Sequence, residues 1–155
     1  GIGHLRAIEP EDLDWFFRIE NDSSMWHLGS SKEPWSRDVL RRYVEAQPGN
    51  LQRDGQLRLI LEHLGVPVGA FDLYDYDSVS RKAGIGVVVD GNYREMGWGK
   101  KAMIALERYA FEMLGIHMVF AVVPVTNAAS QSLFTSCEFE PVGQLKDWLC
   151  NQGAF

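Results

Sequence analysis

Residues 87–102 read VVVDGNYREMGWGKKA, and this stretch decides the fold of the chain. A run of β-branched residues ends at Asp90 and Gly91, which is typical of a strand that stops there. A helical pattern of apolar residues begins just past Gly99. A short turn that contains glycines lies between the two patterns. The stretch therefore predicts a strand, a turn and a helix in direct succession.

The turn has the chemistry of an anion site. Gly97 and Gly99 carry no Cβ, so consecutive N–H groups at the start of the helix can approach a ligand closely. Arg94 and Lys100 add positive charge, and the helix dipole contributes about half a positive charge at the same end. These features favour a pyrophosphate. The alternative is an ordinary strand-to-helix junction whose glycines only make the turn.

Two common nucleotide motifs do not fit the glycines of this region. A Walker loop needs a glycine five positions before the glycine of its Gly-Lys pair, but Arg94 stands five positions before Gly99. A dinucleotide fingerprint that starts at Gly84-x-Gly86 needs a third glycine where the chain has Val89. The turn therefore predicts neither a P-loop nor a Rossmann site.

Composition restricts the classes of protein that remain. The chain has 155 residues, 46% of them hydrophobic, which predicts a single globular domain over residues 1–155. A formal net charge of −6 argues against binding to nucleic acid or an anionic membrane and is compatible with a cationic substrate. No apolar run approaches the ~20 residues that a membrane span needs. We therefore expect no nucleic-acid partner and no membrane partner.

Cysteine and histidine usage predicts neither disulfides nor metal. Cys137 and Cys150 are too few for a disulfide framework and lie in no CxxC motif, so a reducing compartment and a cytoplasmic location are expected. The four histidines and two cysteines show no metal-ligand spacing, so no metal site is expected.

The remaining chain divides into short alternating elements. Turn and capping residues separate the apolar patterns, and a helix capped by Ser36 would run to Gln47. The other expected elements are a strand at 4–8, a helix to Glu20, a hairpin of strands at 56–62 and 68–77, a strand at 83–89, a helix to Leu114, a buried strand at 117–123, a helix at 125–137 and a last strand within 139–149.

The order of these elements predicts a mixed α+β (α/β) fold. Hairpin connections give antiparallel strands, whereas the strand, helix, strand order from residue 83 to residue 123 implies a parallel pair. Gly84 and Gly86 are two residues apart and so share one face of their strand, where a ligand or another backbone could approach.

Three motifs carry a resemblance to a known family. Arg94-x-x-Gly97-x-Gly99 resembles the acyl-CoA pyrophosphate loop of the GNAT superfamily of N-acetyltransferases, and the element order is similar over essentially the whole chain. The helix opening Asn127-x-x-Ser130-x-x-Leu133-Phe134 and the closing Cys137-Glu138-Phe139 with Val142-Gly143 agree with it. The resemblance implies the GNAT fold, a mostly antiparallel sheet with a splayed parallel pair and helices on both faces.

The resemblance also implies acetyl-CoA as co-substrate. Its pyrophosphate would bind the loop, and its pantetheine arm would lie in the splay beside the strand that ends at Val89. The residues implied to bind it are Val87, Val88, Val89, Arg94, Glu95, Met96, Gly97, Trp98, Gly99, Lys100, Asn127, Ser130 and Phe134.

Within the superfamily, the chain resembles the spermidine/spermine and the ribosomal-protein N-terminal acetyltransferases. The run from Gly69 to Ala83 and the Glu33-Pro34-Trp35 loop carry this resemblance, which implies that Glu33 and Asp75 bind a polyamine. Carboxylates suit ammonium groups. Asp72 and Asp75 would point to opposite faces of a regular strand, and only a bulge would change that. Alternatively, these aspartates form a solvated strand end.

Three departures leave the catalytic residues unassigned. Phe134 stands where many relatives have a proton-donating tyrosine, Gly84 replaces a strand glutamate, and Glu138 replaces a turn glycine. Direct attack of a neutral amine would still be feasible with an oxyanion donor such as the N–H of Val88 or Val89.

The expected activity is acetyl transfer from acetyl-CoA to a primary amine in a ternary complex, with a polyamine as the first choice. The alternatives are acetylation of a peptide or ribosomal-protein N-terminal amine and a non-catalytic acyl-CoA-binding module. The expected partner is a small-molecule or peptide amine, and a homodimer is compatible with the resemblance.

Overall fold

The computed structural model describes residues 4–23, 33–46, 50–94, 96–150 and 153–155. Within them, five strands form one sheet in the order β1-β2-β3-β4-β5. The strands are β1 (His4–Ala7), β2 (Leu57–His63), β3 (Val66–Asp77), β4 (Lys82–Val89) and β5 (Met118–Phe120).

The sheet is antiparallel except at one end. Neighbouring strands from β1 to β4 pair antiparallel, whereas β4 and β5 pair parallel over Lys82–Gly84 and Met118–Phe120. Both the antiparallel hairpin and the parallel crossover are therefore confirmed. Beyond Gly84, β4 continues to Val89 without a described pairing to β5, so the two strands separate there.

Five α-helices accompany the sheet in the described part of the chain: α1 (Leu13–Glu20), α2 (Arg37–Glu45), α3 (Leu51–Asp54), α4 (Trp98–Arg108) and α5 (Ala128–Ser136). Short 3-10 turns lie at Pro10–Asp12 and Gly91–Tyr93, and a π-helical turn at Tyr109–Met113 extends α4. None of the described helices is long and apolar enough to cross a bilayer.

Local capping explains several helix ends. Ser36 accepts a hydrogen bond from the Val39 N–H at the start of α2, as predicted. Helix α3 was not predicted, because four residues are too few to show a helical period. Its first turn is capped by Asn50, and it ends at Gly55, whose φ is +70°.

The sheet separates two apolar layers. Phe71 and Leu73 of β3 face the layer that contains Met103 of α4 and Phe134 of α5. The intervening Ala70 faces the other layer, which is formed with α1 and α2. Because alternate residues of a strand point to opposite faces, helices can pack on both sides, and this expectation is confirmed.

Two expected strands differ from the structure. The last strand within residues 139–149 is wrong, because this segment forms no strand, and beyond the half-buried Phe139 its side chains are exposed, with Val142 97% exposed. The expected buried strand at 117–123 is only β5, at the edge of the sheet. His117 is exposed, and its N–H donates to the Arg81 carbonyl at 2.7 Å.

Candidate active site

The predicted anion loop lies where β4 passes into α4. Gly97 adopts a φ of +79° immediately before the helix, a left-handed conformation that favours glycine. The helix begins at Trp98, slightly earlier than expected. Its first internal bond runs from the Lys101 N–H to the Gly97 carbonyl at 3.3 Å. The N–H groups of residues 98–100 therefore have no intrahelical partner and are suited to bind an anion.

The space above the bend is open. A Cβ built on Gly97 would meet no heavy atom within 4 Å. Gly99 instead packs inward, since its Cβ direction meets the Leu133 side chain at 3.4 Å and Val89 at 3.8 Å. The first glycine thus leaves room for a ligand, and the second lets α4 pack closely against α5.

Charge at the loop comes from Arg94 and Lys100, both exposed. The Nε of Arg94 donates to the Val89 carbonyl at 3.2 Å, which ties the guanidinium to the end of β4. Met96 is 62% exposed beside them. The predicted residue Glu95 lies outside the described residues.

The side chain of Trp98 turns toward the hairpin between β2 and β3. Its ring centroid lies 4.3 Å from that of His63 and 5.6 Å from the Lys101 ammonium nitrogen. The predicted role of Trp98 in holding the cofactor therefore rests on its main-chain N–H.

An ion pair between the buried Asp90 carboxylate and the half-exposed Arg18 guanidinium holds the start of the loop. Asp90 is 1% exposed and accepts hydrogen bonds from the Trp15 Nε1 at 3.1 Å and from Arg18 at 2.6 Å, both on α1. Burial opposes ionisation of this carboxyl. The hydrogen bonds from Arg18, Asn92 and Trp15 outweigh burial, so the pKa of Asp90 lies below its usual range. The only sequence signal for this anchor was a carboxylate at the end of an apolar strand.

The expected cofactor arm site lies beside the separated strands. Val87, Val88 and Val89 are half-buried and pair only with β3 among the described residues. Asn127 is buried, and its side chain accepts from the Ser130 N–H at 3.1 Å. Because that oxygen caps α5, the asparagine has a structural role whether or not a cofactor is bound.

Phe134 is buried at the C-terminal turn of α5, and its ring lies 4.9 Å from the Phe139 ring. Phe139 N–H donates to the Phe134 carbonyl, and Glu138 N–H donates to the Thr135 carbonyl. These bonds form a Schellman motif. Glu138 holds the left-handed position with a φ of +67°, so this helix end forms without glycine.

Tyr74 covers the position of the missing strand glutamate. A Cβ built on Gly84 would lie 2.4 Å from Tyr74 Cζ, so a neighbouring aromatic ring, not a ligand, occupies that face. The ring also packs edge to face with Phe120 of β5, 6.1 Å away. Burial and then Asp75 raise the pKa of the phenol, against a backbone hydrogen bond with Val122.

The two predicted substrate carboxylates are both exposed. Asp75 has a φ of +48° within an irregularity of β3 between Tyr74 and Asp77. The strand is therefore irregular at Asp75, which is the condition under which Asp72 and Asp75 could share a face. Glu33 lies in the irregular segment that precedes α2.

Asp72 belongs to a charged cluster that sequence reasoning left unassigned. Its Oδ1 lies 2.9 Å from Arg58 Nε of β2. Arg58 also lies 3.5 Å from a Glu20 carboxylate oxygen and 3.4 Å from the Tyr43 hydroxyl. Burial raises the pKa of Asp72, even though the charge of Arg58 acts in the opposite direction.

Residues 4–140 match the family model described as the acetyltransferase (GNAT) domain. The chain belongs to this family. It is therefore an N-acetyltransferase, and acetyl-CoA is its co-substrate. The family assignment and the GNAT fold, both expected from the loop and the element order, are confirmed.

Individual relatives are distant. The chain is 21% identical over 144 residues to spermidine N(1)-acetyltransferase of Escherichia coli (strain K12), covering 91% of this chain and 74% of the relative. It is 26% identical over 166 residues to YdaF of Bacillus subtilis (strain 168), and the match covers 96% of this chain and 84% of the relative. The name of YdaF provisionally describes it as a ribosomal N-acetyltransferase.

A solved structure shares the fold. The Vibrio cholerae spermidine N-acetyltransferase in complex with CoA and spermine aligns with a TM-score of 0.82 at 20% identity, covering 92% of this chain and 83% of that one.

Proposed function

We propose that this N-acetyltransferase acetylates a primary amine of a polyamine by direct transfer within a ternary complex. The observation that carries the proposal is the open bend at Gly97, where helix N–H groups are available to the pyrophosphate of acetyl-CoA. The choice of a polyamine is supported by the names of the E. coli and V. cholerae relatives and by the acidic balance of the chain.

In this proposal the cofactor lies along β4 and the start of α4. The N–H groups of Trp98, Gly99 and Lys100 bind the pyrophosphate, and Arg94 and Lys100 neutralise its charge. Met96 completes the cradle through its main chain, and the role of Glu95 stays a prediction because it lies outside the described residues. The pantetheine arm follows Val87–Val89 on the side that β5 leaves unpaired.

The second wall of the cofactor site is α5. Asn127 and Ser130 contact the arm, and Phe134 packs against the thioester. Since a phenylalanine ring carries no transferable proton, α5 contributes shape, and protons reach or leave the reacting atoms from elsewhere.

The chemistry proposed is attack of the neutral amine nitrogen on the thioester carbonyl carbon. The main-chain N–H of Val88 or Val89 donates to the oxyanion that develops. Binding both substrates in one complex supplies most of the rate acceleration, because a correctly placed amine and thioester react without a covalent enzyme intermediate.

The acceptor side uses carboxylates to hold a polycation. Glu33 and Asp75 are exposed and can each attract an ammonium group without the cost of desolvating a buried charge.

The expected single domain over residues 1–155 and the expected homodimer stay predictions.

A second acceptor class is a peptide or ribosomal-protein N-terminal amine. The 26% identity to B. subtilis YdaF favours it. Because an N-terminal amine carries one charge and spermidine carries several, the two acceptors should respond differently to the loss of Glu33 or Asp75.

The test is release of free CoA thiol from acetyl-CoA with spermidine, with a mixed panel of peptides and with no acceptor. We expect turnover with spermidine well above the acceptor-free rate. Glu33→Gln and Asp75→Asn should each raise the KM for spermidine and leave CoA affinity intact. Turnover with peptides alone would replace the polyamine by the second acceptor class, and no turnover with any amine would contradict the proposal.

A further inference from the structure

We infer that Asp72 is the base that takes the proton of the acceptor ammonium, in the amine acetylation proposed above, on which this inference rests. Strand β3 then supplies the proton acceptor, since neither Phe134 nor Gly84 carries a group that can accept a proton.

The position of Asp72 in the sheet places it next to the reaction site. It pairs with Arg58 on one side and with Gly86 of β4 on the other. Gly86 lies two residues past Gly84, where pairing with β5 stops, and directly before the Val87–Val89 segment. A carboxylate at this register thus lies one strand away from the opening between β4 and β5, across the bare backbone of Gly86.

Gly86 leaves the approach to the carboxylate unblocked. Its Cβ direction meets Asp72 Oδ2 at 3.5 Å, an ordinary contact distance. Oδ1 is the oxygen beside Arg58, so Oδ2 is directed along the bare backbone of β4. The Asp72 side chain keeps 30% of its surface exposed, enough for an amine to reach one oxygen.

The orientation of Asp72 is maintained by its neighbours. Arg58 lies between Asp72 and Glu20, and its guanidinium carbon lies 5.1 Å from the Phe16 ring centroid. Tyr43 contacts the same guanidinium. Arg58 is therefore a positioning residue whose charge lies beside one carboxylate oxygen, while the other oxygen faces Gly86.

The proton affinity of Asp72 is higher than that of an exposed aspartate. Burial raises its pKa, Arg58 lowers it and Glu20 raises it further, and the net direction is upward. The other titratable group that faces it is the Tyr74 phenol, whose pKa is itself raised. A carboxyl with a raised pKa accepts a proton from an ammonium more readily than an exposed aspartate does.

The ammonium transfers one proton to the Asp72 carboxylate, and the amine lone pair then forms the C–N bond at the thioester carbonyl carbon. The carbonyl π electrons move to oxygen and return as the C–S bond breaks, and the bonding pair leaves on the CoA sulfur. The nitrogen loses its second proton to that thiolate, and Asp72 returns the first proton to solvent.

The test compares Asp72→Asn with Asp77→Asn, the same change on the same strand at a turn remote from Gly86. We expect kcat/KM for spermidine to fall on the order of 10²-fold in Asp72→Asn, with CoA affinity retained and the acidic limb of the pH profile lost. Asp77→Asn should keep both the rate and the limb.

A second variant separates the base from a merely structural carboxylate. Arg58→Gln removes the charge that lowers the pKa of Asp72, so the acidic limb of kcat/KM should move to higher pH. An unmoved limb would overturn the inference, and this arm decides the matter if Asp72→Asn fails to fold or to bind CoA. If the wild type is active and Asp72→Asn keeps the same kcat/KM and the same acidic limb, the inference is also overturned. If the wild type is inactive with every amine, the proposed function is refuted instead.

Discussion

Tyr74 lies directly over Gly84, so that a Cβ on Gly84 would come within 2.4 Å of Tyr74 Cζ. One strand supplies a bare backbone, and its antiparallel neighbour supplies the ring that covers it. The ring extends past β4 to Phe120 of β5. The contact therefore helps to hold together the last paired rungs of β4 and β5 before the two strands separate.

This contact predicts that Gly84→Ala destabilises the protein. The added methyl group would force the half-buried Tyr74 ring to move, which costs about 1–3 kcal/mol of the free energy of unfolding. Gly86→Ala is the matched control, because its methyl would meet only ordinary contacts, starting at 3.5 Å. Urea unfolding of the two variants checks the prediction. Equal midpoints would show that Tyr74 yields without cost.

The loop predicts that Gly97→Val weakens CoA binding. Residue 97 has a φ of +79°, which a β-branched residue adopts only with strain. Relief of that strain would move the first N–H groups of α4, and a loss of about 1.4 kcal/mol already means a tenfold higher Kd. Gly91→Ala, at a glycine that also has open space but no positive φ, should bind CoA normally. Unaltered affinity in Gly97→Val would count against the loop.

The end of α5 predicts that Glu138→Gly stabilises the protein. Glu138 adopts a left-handed φ of +67°, which costs an L-residue about 1–2 kcal/mol relative to glycine. The substitution also removes a negative charge that raises the pKa of Glu107, although burial is the larger cause of that shift. Thermal unfolding should show a higher Tm. Glu140→Gly, beyond the motif, is the control and should give no gain.

The anchor at Asp90 predicts a loss of stability in acid. Because the pKa of Asp90 is lower in the folded than in the unfolded protein, its contribution is fully present above the unfolded pKa of about 4 and is lost as pH falls through the folded value. Asp90→Asn should therefore be less stable at neutral pH, with a shallower decline in acid. Parallel stability curves for variant and wild type would contradict this account.

Features set by neighbouring residues could be predicted from the sequence. The cap at Ser36 depends on a contact three residues away. The hairpin and the parallel crossover follow from patterns and short connections. The glycine bend before α4 belongs to the same class.

Features set by residues remote in sequence could not be predicted. Asp90 and Trp15 are 75 positions apart, and Arg58 and Asp72 meet only because β2 and β3 pair in one register. The Tyr74 ring over Gly84 is likewise a cross-strand contact. The last strand was predicted from local apolar residues, but an extended segment forms a strand only where a partner is available.

The most direct test of the account is calorimetric titration of the protein with CoA and, separately, with pantetheine, which lacks the pyrophosphate. If amides at the bend from Gly97 to Lys100 bind the diphosphate, CoA will bind with measurable heat, and pantetheine will bind far more weakly. No heat with CoA, or equal affinity for the two ligands, would contradict the account.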